Sequence, residues 1–153
     1  MINKTRATVA SLVVSASTLV AIALHEGYRD NAYLDSVGVP TIGFGETKGV
    51  EMGQKTNPTR ALAQLLESAD EHAKRMGACI QVPIYQHEYD AYTSLTYNIG
   101  VGNFCRSTLV KKLNTQDYEG ACKEILRWNK AGGQVLPGLT IRRQQEYKKC
   151  IGE

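Results

Sequence analysis

With 153 residues the chain is long enough for one domain with a sizeable core, split at most into two lobes, and too short for several domains. An apolar content of 42%, with no repeat and no low-complexity run, excludes a disordered or fibrous protein. The formal charge of +3 is unevenly spread: residues 25–103 carry six Lys/Arg against ten Asp/Glu, and residues 104–153 carry ten against five.

The first element is an uncharged stretch. No ionisable side chain lies between Arg6 and His25 apart from the flanks themselves, and Lys4 and Arg6 precede it. Residues 7–24 are long enough for a bilayer, which needs roughly 17–25 apolar residues. Five alanines and five hydroxyl residues (Thr8, Ser11, Ser15, Ser17 and Thr18) dilute the apolar character. The positive-inside rule leaves the N-terminus in the cytoplasm and sends the body across the inner membrane. Three readings compete: a cleaved signal peptide with Ala21-Ile22-Ala23 as its site, a permanent anchor, and an anchor that stays attached and later leaves the bilayer. The third is preferred. Cleavage after Ala23 would leave Glu26, the candidate acid below, three residues from a frayed end, and a reacting carboxylate needs rigid support.

Residues 31–44 have strand and turn character. Ala32-Tyr33-Leu34 and residues 39–42 flank the turn Asp35-Ser36-Val37-Gly38, which predicts a hairpin. Gly43, Gly45, Gly49 and Gly53 make the next stretch loop-rich. Asn57-Pro58-Thr59 opens a helix whose apolar stripe (Ala61, Leu62, Leu65, Leu66, Ala69) runs to about Met76. A second helix follows Pro83 and ends at Gly100. Shorter helices are predicted over residues 107–113, 118–128 and 139–150, with Asn114 and Ala131-Gly132-Gly133 as separators. The order is helix, small sheet, many helices: an α+β chain with its sheet at one end.

One constellation can carry chemistry. Glu26 ends the first helix, Asp35 lies in the hairpin turn, and Thr41 lies on the second strand. A helix end followed by a tight hairpin can bring the three around one small space. Glycoside hydrolysis needs such a carboxyl pair, one to protonate the leaving oxygen and one to handle a water or the anomeric carbon. Thr41 offers a hydroxyl to hold the water. The Gly-rich stretch after Thr41 lacks the Walker pattern and cradles no phosphate. His72 and His87 have no metal-ligand spacing, and no metal or cofactor is expected. His25 reads as a solvated helix-end residue and Trp128 as core. The four cysteines, Cys79, Cys105, Cys122 and Cys150, are too far apart for a zinc or CxxC site. Their even count fits two disulfides, with three connectivities open.

The Glu26, Asp35, Thr41 spacing and Thr41-Ile42-Gly43-Phe44-Gly45 resemble the phage-type lysozymes of glycoside hydrolase family 24. The likeness extends over residues 25–150 through Tyr97-Asn98-Ile99-Gly100, Phe104-Cys105-Arg106-Ser107-Thr108-Leu109, Arg127-Trp128, Pro137-Gly138-Leu139 and Arg142-Arg143. The resemblance implies a lysozyme-like fold, with a sheet lobe over residues 25–58 and a helical lobe over 59–153. It implies Glu26 as general acid, Asp35 and Thr41 orienting a water, and inversion at the β-1,4 link between N-acetylmuramic acid and N-acetylglucosamine. Tyr97 and Asn98 would line the sugar cleft, and Arg142 or Arg143 would pair with Glu26 across it. Resemblance to lambdoid members pairs Cys79 with Cys105 and Cys122 with Cys150. It also makes residues 1–24 a signal-anchor-release helix of the subgroup without a thiol switch, since no cysteine precedes Cys79. The expected partners are peptidoglycan glycan strands and, before release into the periplasm, the inner membrane through residues 7–24. A monomer is expected. A nucleic-acid partner is not, because the basic C-terminal half carries no binding motif. The alternatives are a lytic transglycosylase, against which Asp35 and Thr41 argue, and an inactive membrane-tethered peptidoglycan-binding protein.

Overall fold

The computed structural model describes residues 5–153; Lys4, one of the two flanking charges, lies outside them. The first helix, α1, is Ala16–Glu26. Ser15 caps it by accepting from the Thr18 N–H, and Gly27 at φ +71° ends it in a conformation that disfavours a side chain. A hairpin follows, β1 (Arg29–Leu34) and β2 (Pro40–Gly43), antiparallel with Tyr33 opposite Thr41 and Leu34 opposite Pro40. Asn57 then accepts from the Arg60 N–H and Pro58 takes the first turn, which starts α2, Pro58–Gly77. The remaining helices are α3 (Gln86–Ile99), α4 (Val101–Cys105), α5 (Thr108–Asn114), α6 (Tyr118–Glu124) and α7 (Pro137–Cys150). A two-residue hairpin, β3 (Lys130–Ala131) with β4 (Gln134–Val135), precedes α7.

The core forms around α3. Every residue from Glu88 to Thr96 is buried, so this helix is enclosed on all sides, by α1, α2, α4 and α7. Tyr92 and Leu95 pack with Met76, Phe104, Leu109 and Ile125. The polar residues of α3 are held rather than stranded. Glu88 takes Arg6, Asp90 takes the Ser15 N–H, Thr93 donates to the Tyr89 carbonyl, and Ser94 donates to Glu146. The architecture is the expected α+β, lysozyme-like one, with the sheet at one end. Both disulfides join the pairs the resemblance implied, Cys79–Cys105 and Cys122–Cys150.

Three expectations need correction. Residues 7–15 form no α-helix in this fold. Ala7 forms a backbone bridge with Ile84, Val9–Ser11 makes one 3₁₀ turn, and the chain then runs extended into the cap at Ser15. The body takes the backbone groups a longer helix would use: Gln86 Nε2 donates to the Val13 carbonyl at 2.7 Å, and the Ser15 N–H donates to Asp90 at 3.0 Å. At 1.5 Å per residue α1 is about 17 Å long, against a hydrocarbon core of about 30 Å. Among the described residues no helix is long and apolar enough to cross a membrane. Second, the helix expected over 118–128 stops at Glu124 and tightens into a 3₁₀ turn, Ile125–Arg127. Third, Ala131-Gly132-Gly133 is not a bare separator. Gly132 and Gly133, both at positive φ, make the turn of the β3–β4 hairpin.

Candidate active site

Glu26 is the last residue of α1, and its side chain is 23% exposed. The chain leaves through Gly27 and the hairpin folds back onto it: Tyr28 packs on Phe44 at 5.3 Å between ring centres, and Arg29 pairs with Gly43. One neighbour holds one carboxylate oxygen, and another leaves space for the second. Arg142 Nη1 donates to Oε1 at 3.1 Å. The other oxygen faces Gly45, where an added Cβ would stand 3.1 Å from Oε2. Gly45 also sits at φ +82°, so both backbone and space select glycine there.

Asp35 closes the hairpin turn. Its Oδ1 accepts from the Val37 N–H at 2.9 Å and the Val39 N–H at 2.8 Å, an Asx-type turn that sets the tip of the loop. No described residue engages Oδ2. Thr41 is buried on β2, and its hydroxyl donates to the Val39 carbonyl at 2.9 Å, which leaves its oxygen lone pairs as acceptors. Val39 therefore links the two residues, one through its N–H and one through its carbonyl. Glu26 joins the hairpin from the other end, beside Gly45. Among the described residues no hydrogen bond connects Glu26 to Asp35 or Thr41.

Behind the acid lies a buried ionic cluster. Arg142 is 5% exposed, Arg143 0% and Glu146 4%. Arg142 is not a free cleft residue; all three of its guanidinium nitrogens are committed. Nη1 holds Glu26, Nε donates to Glu146 at 3.3 Å, and Nη2 donates to the Ser94 carbonyl at 3.4 Å. Of the two candidate arginines, Arg142 makes the pair with Glu26. Arg143 instead spans Glu146, the Trp128 carbonyl and Asn98 Oδ1, the last at 3.0 Å. Asn98 is exposed with its amide oriented by that bond. Tyr97 is half-buried with its ring 5.0 Å from that of His72. Burial pushes its phenol far above its usual range, and the charges of Glu26 and Glu46 add to the rise while Arg142 opposes it, so Tyr97 stays a neutral donor beside the acid. Burial and the Arg142 charge hold His25 below its usual value.

Two carboxylates here are absent from the sequence reading. Glu46 accepts from the Ser68 hydroxyl and from the Thr47 and Lys48 N–H groups. It follows a glycine loop and has no spacing signal. Glu146 stands four residues after Arg142 and three after Arg143, a helical spacing that marks side chains meeting on one face. That signal was present and unread. Among the described residues no group of three or more His, Cys, Asp or Glu is placed to hold a metal ion.

The sequence model of the family described as Phage lysozyme matches residues 23–146 of this chain. The chain belongs to the phage lysozyme family. It is 41% identical over 137 residues to an endolysin of Acyrthosiphon pisum secondary endosymbiont phage 1, covering 87% of this chain and 94% of that one. It is 37% identical over 127 residues to a SAR-endolysin of Enterobacteria phage P21, covering 82% and 77%. The solved endolysin from Escherichia coli O157:H7 phage FAHEc1 superposes with a TM-score of 0.83 at 32% identity, with 97% of each chain covered. The family makes this chain a peptidoglycan-hydrolysing enzyme of the endolysin type.

Proposed function

We propose that this lysozyme cleaves the β-1,4 bond between N-acetylmuramic acid and N-acetylglucosamine with inversion. Glu26 donates its proton to the glycosidic oxygen as the bond to the anomeric carbon breaks. Asp35 and Thr41 hold a water on the opposite face of the sugar ring. The water oxygen bonds to the anomeric carbon and its proton passes to Asp35. The observation that carries this reading is the fixing of Glu26 by Arg142 on one oxygen, beside a hairpin on which Val39 ties Asp35 to Thr41. Tyr97 and Asn98 form the near wall of the cleft, and Arg142 serves the substrate indirectly, through the acid. The test is Glu26→Gln together with product analysis. The amide keeps the shape but has no acid proton, so wall lysis should fall by about 10²–10⁴-fold in a folded protein. Proton NMR of the first products should show the inverted anomer. More than a tenth of wild-type activity in the variant, a retained anomer, or anhydro-sugar ends would each reject the mechanism.

Residues 7–24 anchor the enzyme in the inner membrane, with the N-terminus in the cytoplasm and the body in the periplasm, until the segment leaves the bilayer and the monomeric enzyme acts on peptidoglycan. The SAR-endolysin relatives, the uncharged alanine- and hydroxyl-rich composition and the place of Glu26 at the end of α1 support this reading. So do the contacts this segment makes when folded. Arg6 pairs with Glu88 at 3.0 Å between the rings of Tyr85 and Tyr118, and Ala7 bridges Ile84. While residues 7–24 span a bilayer those contacts cannot form, and the hairpin cannot close beneath the acid.

A further inference from the structure

Glu146 is almost fully buried and lies in contact with two arginines. A buried carboxylate costs stability unless it is fully paired, so its presence calls for a role. Its Oε1 accepts from the Ser94 hydroxyl at 2.7 Å, from Arg142 Nε at 3.3 Å and from Arg143 Nη2 at 3.1 Å. Its Oε2 lies 2.7 Å from Arg143 Nε, an ion contact rather than an aligned hydrogen bond. One carboxylate thus orients both guanidinium planes. One points Nη1 at Glu26, and the other points Nη1 at Asn98, at the cleft end of α3.

We propose that Glu146 is a positioning residue of the hydrolysis: it pins Arg142 at Nε so that Nη1 holds one oxygen of Glu26, and it offsets the second arginine's charge so that the acid faces one net positive charge from this cluster rather than two. This rests on the reading of Glu26 as the proton donor. The groups around the acid are His25 on its own helix, Tyr97 on α3 and Arg142 on α7; Glu146 and Arg143 stand behind Arg142, and Glu46 from the loop after β2 acts with Glu26 on Tyr97. Counted as ions, Arg142 and Arg143 balance Glu26 and Glu146. Without the Glu146 charge the acid faces a second positive charge through a partly desolvated path, and such a charge favours the carboxylate over the proton-bearing form. Burial pushes the Glu146 carboxyl up, and Arg143, Ser94 and Arg142 act against that rise.

The experiment compares wild type, E146Q and the charge-balanced double variant E146Q/R143Q, with Glu26→Gln alongside. The assay is hydrolysis of purified peptidoglycan across pH, and melting curves confirm folding. E146Q should lose about 10–100-fold in kcat with KM within about twofold, and the alkaline limb of kcat/KM should move to lower pH by about one unit. The double variant should return that limb toward the wild-type position, while kcat stays low because a neutral amide oxygen holds Arg142 Nε less firmly than the carboxylate does. The split between a charge effect on the pH profile and a geometric effect on kcat is what a merely structural glutamate would not produce. A folded E146Q with wild-type kcat and pH profile, while Glu26→Gln is inactive, overturns this inference alone. If E146Q does not fold, the double variant decides, and wild-type kcat in it overturns the proposal. An active Glu26→Gln overturns the acid assignment and this inference with it.

Discussion

Gly45 shows how much of the site a single missing side chain determines. Its φ of +82° and the 3.1 Å gap from a built Cβ to Glu26 Oε2 mean that alanine there must strain the backbone and press on the Glu26 carboxylate. Gly45→Ala should cost about 1–2 kcal/mol of stability from the backbone alone. It should lower kcat by far more than its loss of folded protein explains. Thermal melts and a lysis assay on the same preparation check this, and equal activity per folded molecule would show that Oε2 does not need that gap. At this scale much was legible. Glu26, Asp35 and Thr41 stand close together in the chain and their order implies the hairpin between them. Arg142 was legible as a partner of the acid but not as a buried one. Glu46 was not legible, because its neighbour Ser68 comes from another element.

Among the elements, those with a strong period or cap agree with expectation: α2 behind Asn57-Pro58, α3 behind Pro83, and the hairpin around Asp35. Short elements such as α4 and the β3–β4 pair were not, because five or two residues carry too little pattern to outweigh their glycines. The α6–α7 contact carries the Cys122–Cys150 disulfide, which closes 28 residues of sequence with both cysteines buried. A closure of that size restricts the unfolded chain by roughly 3–4 kcal/mol. Cys122→Ser with Cys150→Ser should lower unfolding stability by about that amount. Activity at 25 °C should persist, because Cys150 lies eight residues past Arg142, about 12 Å along α7. Chemical denaturation of the oxidised protein and the double variant measures the difference. A loss below about 1 kcal/mol would mean that the packing of α6 on α7 is sufficient without the bond.

For the whole molecule the proposed anchor release puts a double demand on the N-terminal segment, which would have to suit two environments. Ser15 serves the folded state directly, through the α1 cap and its N–H bond to Asp90, so replacing it would damage the fold as well as favour the bilayer. Ser11 and Ser17 are exposed and change mainly the membrane side of the balance. Each leucine at the centre of a membrane helix adds about −0.3 to −0.6 kcal/mol of insertion free energy and also removes the opposing cost of a hydroxyl. Ser11→Leu with Ser17→Leu should therefore hold the protein in the membrane fraction and delay lysis after depolarisation. The purified enzyme should keep its activity in solution. Lysis on the wild-type schedule, or an active wild-type protein that begins after Ala23, would replace anchor release with ordinary signal cleavage.

Local chemistry in the chain determined the α+β order, the candidate trio of Glu26, Asp35 and Thr41, the uncharged N-terminal stretch and the lysozyme resemblance, because each rests on residues near one another in sequence. Packing decided the rest. Residues 7–15 give up a helix because Ile84, Gln86 and Asp90 take their backbone groups. Arg142 is withdrawn from the cleft and spent on Glu26 because Glu146 and Ser94 meet it from two sides. A hydrogen-bonding group in a sequence has many possible partners, and only the folded chain brings one of them within 3 Å while removing water as the competitor.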